Sequence, residues 1–132
     1  MSPCGHVILS HGLESGPQAT KVTALAAAAE ALGWTSERPD YLDLDATRDV
    51  RRVPDRLSRL VERCRVAMTE GRGPLVLAGS SMGAFISALA SFEVDVRGLF
   101  LLAPPVRIAG YRDLDAARVP TSILHGWRDE LI

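Results

Sequence analysis

The chain has 132 residues, 47% of them hydrophobic, and a formal net charge of −1 with acidic and basic residues intermixed. That is the size of one domain able to bury a core, and such a charge recruits neither nucleic acid nor an anionic membrane surface. Aromatic residues make up only 5%, so Leu, Val and Ala must carry the packing. Met1 to Gly5 has neither the basic nor the apolar segment of a secretory leader, and no stretch approaches the ~20 apolar residues of a membrane span. A soluble, cytoplasmic protein is expected. Cys4 and Cys64 have no C-x-x-C or metal-type spacing, and Cys64, on an apolar helix face, reads as a small buried hydrophobe.

Taken in order, His6 to Ser10 is an apolar run that stops at His11-Gly12 and predicts a buried strand. Gln18 to Leu32 predicts a helix with face Val22, Leu25, Ala26, Ala29 and Leu32, started by Ser15 or Pro17 and ended by Gly33. Trp34 to Leu42 predicts a strand interrupted by Pro39, hence one at a sheet edge or starting late. A helix from about Pro54 to Glu70 follows, with face Val53, Leu57, Leu60, Val61, Cys64 and Met68. Its arginines, Arg56 among them, alternate with acids and read as a solvated face. Leu75 to Ala78 predicts a strand, 82–92 a helix, Val96 to Leu102 a strand, Tyr111 to Ala117 a short helix or turn, and Val119 to His125 a last strand. Strands alternate with helices and are apolar without a period of two. This is the pattern of a parallel sheet covered on both faces, a three-layer α/β/α sandwich.

Gly79-Ser80-Ser81-Met82-Gly83 lies between an apolar strand and a helix. A G-x-S-x-G at a strand–helix turn is the pattern of a nucleophile elbow, in which a strained backbone holds a serine hydroxyl above the sheet edge. Three strands end in chemically suggestive residues: His11-Gly12, this elbow, and His125-Gly126-Trp127-Arg128-Asp129. In an open parallel sheet these ends share one rim, where sites form.

On these three motifs, from His6 to Asp129, the chain resembles the α/β-hydrolases, in particular their small lidless esterase-like members. The resemblance implies Ser81 as nucleophile and Asp129 as the acid of a triad. It also implies an oxyanion hole of backbone N–H groups from Met82 and from Leu13, or else Glu14. It makes the chain a single α/β-hydrolase-like domain that cleaves a carboxylic ester or thioester through an acyl-serine, needing no cofactor. Phe85 and Trp127 are candidates to wall an acyl pocket, against plain core packing for each. The family order is Ser, acid, His, whereas His6, His11 and His125 all precede Asp129. The chain therefore reads as incomplete, lacking a helix, a strand and the loop bearing the base, and as given it is expected to be inactive or nearly so. An incomplete sheet predicts an exposed edge at Val119 to His125 and self-association. The short connection from Leu102 to Val119 holds no lid insertion and predicts an open site for small acyl substrates.

Two rival readings compete. Asp43-Leu44-Asp45-Ala46-Thr47 fits the D-x-D-x-T pattern of Mg²⁺-dependent phosphatases, although a strand and a helix precede it and no later acidic pair completes the site. A non-catalytic binding module on the same scaffold is the other. The expected partner is a small ester or acyl compound, with no nucleic acid and no membrane; the oligomeric state is open.

Overall fold

A computed structural model describes residues 4–13, 15–46, 52–108 and 113–125. Five strands, β1 (His6–Ser10), β2 (Thr35–Glu37), β3 (Leu75–Ser80), β4 (Gly98–Leu102) and β5 (Thr121–Leu124), form one sheet of order β2-β1-β3-β4-β5. All four pairings are parallel. The helices are α1 (Thr20–Ala31), a single turn α2 (Leu42–Asp45), α3 (Val53–Thr69) and α4 (Met82–Ala90).

Strand side chains alternate between two cores. Val7, Leu9 and Ala78 pack with Val22 and Ala26 of α1 on one face. Ile8, Leu75, Leu77, Leu99 and Leu101 pack with Leu60, Val61 and Cys64 of α3 and with Phe85, Ile86 and Leu89 of α4 on the other. Both faces are covered, so the middle positions of the inner strands are apolar and the sequence shows no polar alternation there, the polar His6, Ser10 and Ser80 standing at strand ends. This is the expected α/β/α sandwich.

Several local expectations need correction. β2 is the expected edge strand, but it spans only Thr35–Glu37 rather than Trp34 to Leu42. α1 ends one residue before Leu32, which is 74% exposed rather than on the packed face; Gly33 follows with φ +88. Ser15 does not cap α1, because its hydroxyl donates to the Gly12 carbonyl at 3.0 Å. On α3, Ala67 is buried and Met68 is exposed. The described part of 111–117 holds no helix; Asp113 instead forms a single antiparallel bridge with Arg107. The largest departure is Arg56, 1% exposed and thus not on a solvated face. Cys64 is buried, and burial pushes its thiol up to about 12. No described helix is long and apolar enough to cross a membrane.

Candidate active site

The order of the sheet places the site. β1 leads through α1 to β2 on one side, and α3 then carries the chain back across to β3 on the other. The connections after β1 and β3 therefore diverge to opposite faces, which opens a crevice at their carboxyl ends. The His11-Gly12 loop and the elbow form the two sides of that crevice.

At the elbow, Ser81 has φ 55 and ψ −117. That region is sparsely populated by residues with a side chain and costs roughly 1–3 kcal/mol. Ser81 is exposed and occupies the N-cap position of α4, yet its hydroxyl makes no capping hydrogen bond. The turn is held from the backbone: the Ser81 N–H donates to Leu102 O (2.8 Å) and Phe85 N–H donates to Ser81 O (3.1 Å). The two glycines are there for contact, not for φ. A Cβ on Gly83 would overlap the Ser10 carbonyl, and one on Gly79 would overlap the Gly83 carbonyl. Helix α4 thus sits directly against the ends of β1 and β3. Met82, at the first helical position, has an N–H that no residue four back can receive. Among the described residues it donates to no other acceptor.

The opposite wall is held as tightly. A Cβ on Gly12 would lie 3.4 Å from Ser81 Cβ, so the loop abuts the serine. His11 is wholly buried. Its Nε2 faces the Tyr41 N–H at 2.9 Å, a group that can only donate, so Nε2 is the acceptor. The proton of the neutral ring therefore sits on Nδ1, which donates to Gly12 O at 2.6 Å. Desolvation by burial lowers the His11 pKa, with the Arg56 charge acting in the same direction, and the contact with Gly12 only partly opposes this. Beneath the loop, Arg56 Nε and Nη2 donate to the two carboxylate oxygens of Asp45 at 2.7 and 2.8 Å. Its Nη1 and Nη2 donate to the carbonyls of His11 and Gly12, each at 3.2 Å. The guanidinium lies 4.5 Å over the Tyr41 ring, and the Tyr41 hydroxyl is 2.9 Å from that of Ser10.

Of the residues singled out from sequence, the structure brings Leu13, Ser81 and Met82 to one crevice. Asp129 and Trp127 lie outside the described residues. Phe85 has no exposed surface and packs in the α3–α4 core. Of the two readings offered for it, acyl-pocket wall and core packing, its burial favours core packing. His6 is buried, with its ring nitrogens 2.6 Å from Thr35 Oγ1 and 3.1 Å from Glu37 Oε1, whereas His125 is exposed at the end of β5. The carboxylates of the phosphatase-like motif do not converge. Asp43 pairs with Arg59 on the surface (2.6 and 3.0 Å), a pairing that holds its pKa down to about 2. Asp45 turns inward to Arg56. A magnesium ion needs converging oxygens, and no cluster of three or more potential metal ligands occurs among the described residues.

The alpha/beta hydrolase domain model matches residues 3–132. The chain belongs to the alpha/beta hydrolase family. A crystal structure of a protein assigned to this superfamily, from Xanthomonas campestris pv. campestris, is 54% identical with a TM-score of 0.88; the match covers 97% of this chain and 75% of that one. An alpha-beta serine hydrolase homologue from Coxiella burnetii is 28% identical with a TM-score of 0.67, covering 95% of this chain and 62% of that one. A serine hydrolase without a lid, also from Xanthomonas campestris, shares the fold at 22% identity and a TM-score of 0.64, covering 95% and 59%. No curated protein matches this alpha/beta hydrolase.

The buried Arg56 is the site residue that sequence reading missed. The signal was present: Arg56 lies three residues after Val53 and four before Leu60, on the apolar face by helical spacing. Composition pointed to a charged face, and spacing pointed inward.

Proposed function

We propose that this protein hydrolyses a carboxylic ester or thioester of a small acyl substrate, with Ser81 as the nucleophile. The observation that carries this reading is the Ser81 backbone, strained at φ 55 in an exposed turn whose hydroxyl caps nothing. Strain of this kind persists only when the surroundings enforce it, and here the Gly79–Gly83 contact and two backbone hydrogen bonds do so. The Ser81 oxygen attacks the acyl carbon and its proton passes to a base; the carbonyl π electrons move onto oxygen. The N–H groups of Leu13 and Met82 are the donors to that oxyanion, and each such donor is worth ~100–1000-fold in rate. Collapse expels the leaving group, which takes that proton from the base and departs as the alcohol or thiol; water, giving a proton to the base, then attacks the acyl-serine, and the serine oxygen leaves with that proton as the acid forms. His6 and His11 are buried and hydrogen-bonded, so neither is the base. Asp129 is proposed as the acid that orients the base.

The test is treatment with a fluorophosphonate, followed by peptide mass spectrometry. In protein that carries the base, an adduct on Ser81 is expected, absent in Ser81→Ala, whose ester turnover falls about a thousandfold or more. Acetate and butyrate esters are expected to turn over faster than palmitate. Loss of activity on chelation with no Ser81 adduct would overturn the reading in favour of metal chemistry. No adduct and no turnover would leave a binding module.

A further inference from the structure

We propose that Arg56, tied to Asp45, is the positioning residue that sets the direction of the Leu13 N–H, and thereby forms the loop half of the oxyanion hole. This rests on the acyl-serine reading. The argument is one of peptide geometry. A trans peptide is planar, with its C=O and the following N–H pointing in opposite directions. The Gly12 carbonyl points down into the protein, where it accepts from Arg56 Nη2 (3.2 Å), His11 Nδ1 (2.6 Å) and Ser15 Oγ (3.0 Å). The Leu13 N–H must then point up and away from Arg56. It donates to no acceptor among the described residues. Arg56 Nη1 holds the preceding carbonyl, His11 O, in the same way, so both successive peptides carry the same orientation. If the Gly12–Leu13 peptide turned over, a carbonyl oxygen would face the developing oxyanion and repel it.

The guanidinium suits this task. It presents donors in a rigid planar fork, and here the fork spans one carboxylate and two carbonyls. Asp45 fixes it bidentately through Nε and Nη2, and the Tyr41 ring covers one face. An arginine 1% exposed, on a helix otherwise amphipathic, is expensive to bury. Apart from its pair with Asp45 on α2, its hydrogen bonds go to the loop that abuts the nucleophile.

The test compares three proteins: wild type, Arg56→Lys, and the charge-balanced double variant Arg56→Met/Asp45→Asn, which leaves no lone buried charge. The measurement is Ser81 phosphonylation, separated into its limiting rate and its half-saturating reagent concentration, with thermal unfolding measured alongside. Losing the aligned donor lowers the limiting rate by about tenfold or more, toward the ~100–1000-fold of a lost oxyanion donor. Half-saturation stays within about threefold, since only transition-state stabilisation is lost. Crystal structures of the variants should show the Gly12–Leu13 peptide turned or in two orientations. A merely structural arginine would lower the unfolding temperature and leave the limiting rate of the folded protein unchanged, and that result overturns the proposal. So does a structure of the wild-type phosphonate adduct whose phosphoryl oxygen avoids the Leu13 N–H, a measurement that needs no variant to fold. Wild-type protein that takes up no phosphonate at Ser81 is a different failure: it refutes the acyl-serine reading itself.

Discussion

At the residue scale, the site is a set of groups held in costly states. Ser81 keeps a positive φ that glycine would adopt without strain. Ser81→Gly should therefore raise the unfolding free energy by about 1 kcal/mol while abolishing turnover, and Ser81→Ala should abolish turnover with no such gain. Chemical denaturation of the two variants side by side checks this. His11 is held neutral, with Nε2 committed as an acceptor and burial lowering its pKa. The unfolded chain, with a histidine near 6.5, binds a proton that the native state refuses. Stability is thus fully present above pH 6.5 and falls as the solution is acidified from 6.5 toward the lower native pKa. The slope is at most about 1.4 kcal/mol per pH unit for this one proton. Unfolding between pH 7 and 5 should show this loss in wild type, and it should be diminished in His11→Gln. Glu37 contributes in a lower window. Burial raises its pKa, but hydrogen bonds from His6 and Arg63 outweigh that and leave it lowered, so its share is present above the ordinary glutamate pKa and is lost as pH falls through that value toward the lower native one.

At the element scale, the elbow works because two glycines let α4 touch the strands. The Gly83 Cα–H sits where only hydrogen fits, against the carbonyls of Ser10 and His11. Gly83→Ala should force β1 and α4 apart and cost about 3 kcal/mol or more. Because the His11-Gly12 loop follows β1 directly, the same shift should also disturb the crevice, so Ser81 labelling of any folded fraction should slow. Gly71→Ala is the control. That Cβ would meet nothing within 4 Å, so only the strain of φ +67 is expected there, about 1 kcal/mol, with labelling unchanged.

At the scale of the whole molecule, the sheet is asymmetric. β1 and β3 lie inside, flanked on both sides and covered on both faces, whereas all four residues of β5 are exposed and it pairs with β4 alone among the described strands. Ile123 and Leu124 are half exposed. Native-state hydrogen exchange should show β1 and β3 opening only with global unfolding and β5 opening far more readily. Equal protection across all five strands would contradict this. On that expectation the crevice stands on strands that open only with the whole fold.

Much of this was legible in the chain itself. The number and parallel sense of the strands follow from apolar runs alternating with helical periods, and the elbow was visible because steric demand requires small residues at Gly79 and Gly83 beside a serine. The extent of β2 was not legible, since an edge strand gains too little burial to mark its length. Tertiary structure alone decided that Phe85 belongs to the core, that Asp43 and Asp45 face different arginines, and that Arg56 is buried beneath His11-Gly12. Those outcomes depend on which distant groups the crossover from β2 to β3 brings within hydrogen-bond reach. Residues 45 and 56 lie eleven apart, and His11 lies forty-five from Arg56. No local pattern encodes such a meeting; the path of the chain between the two faces of the sheet does.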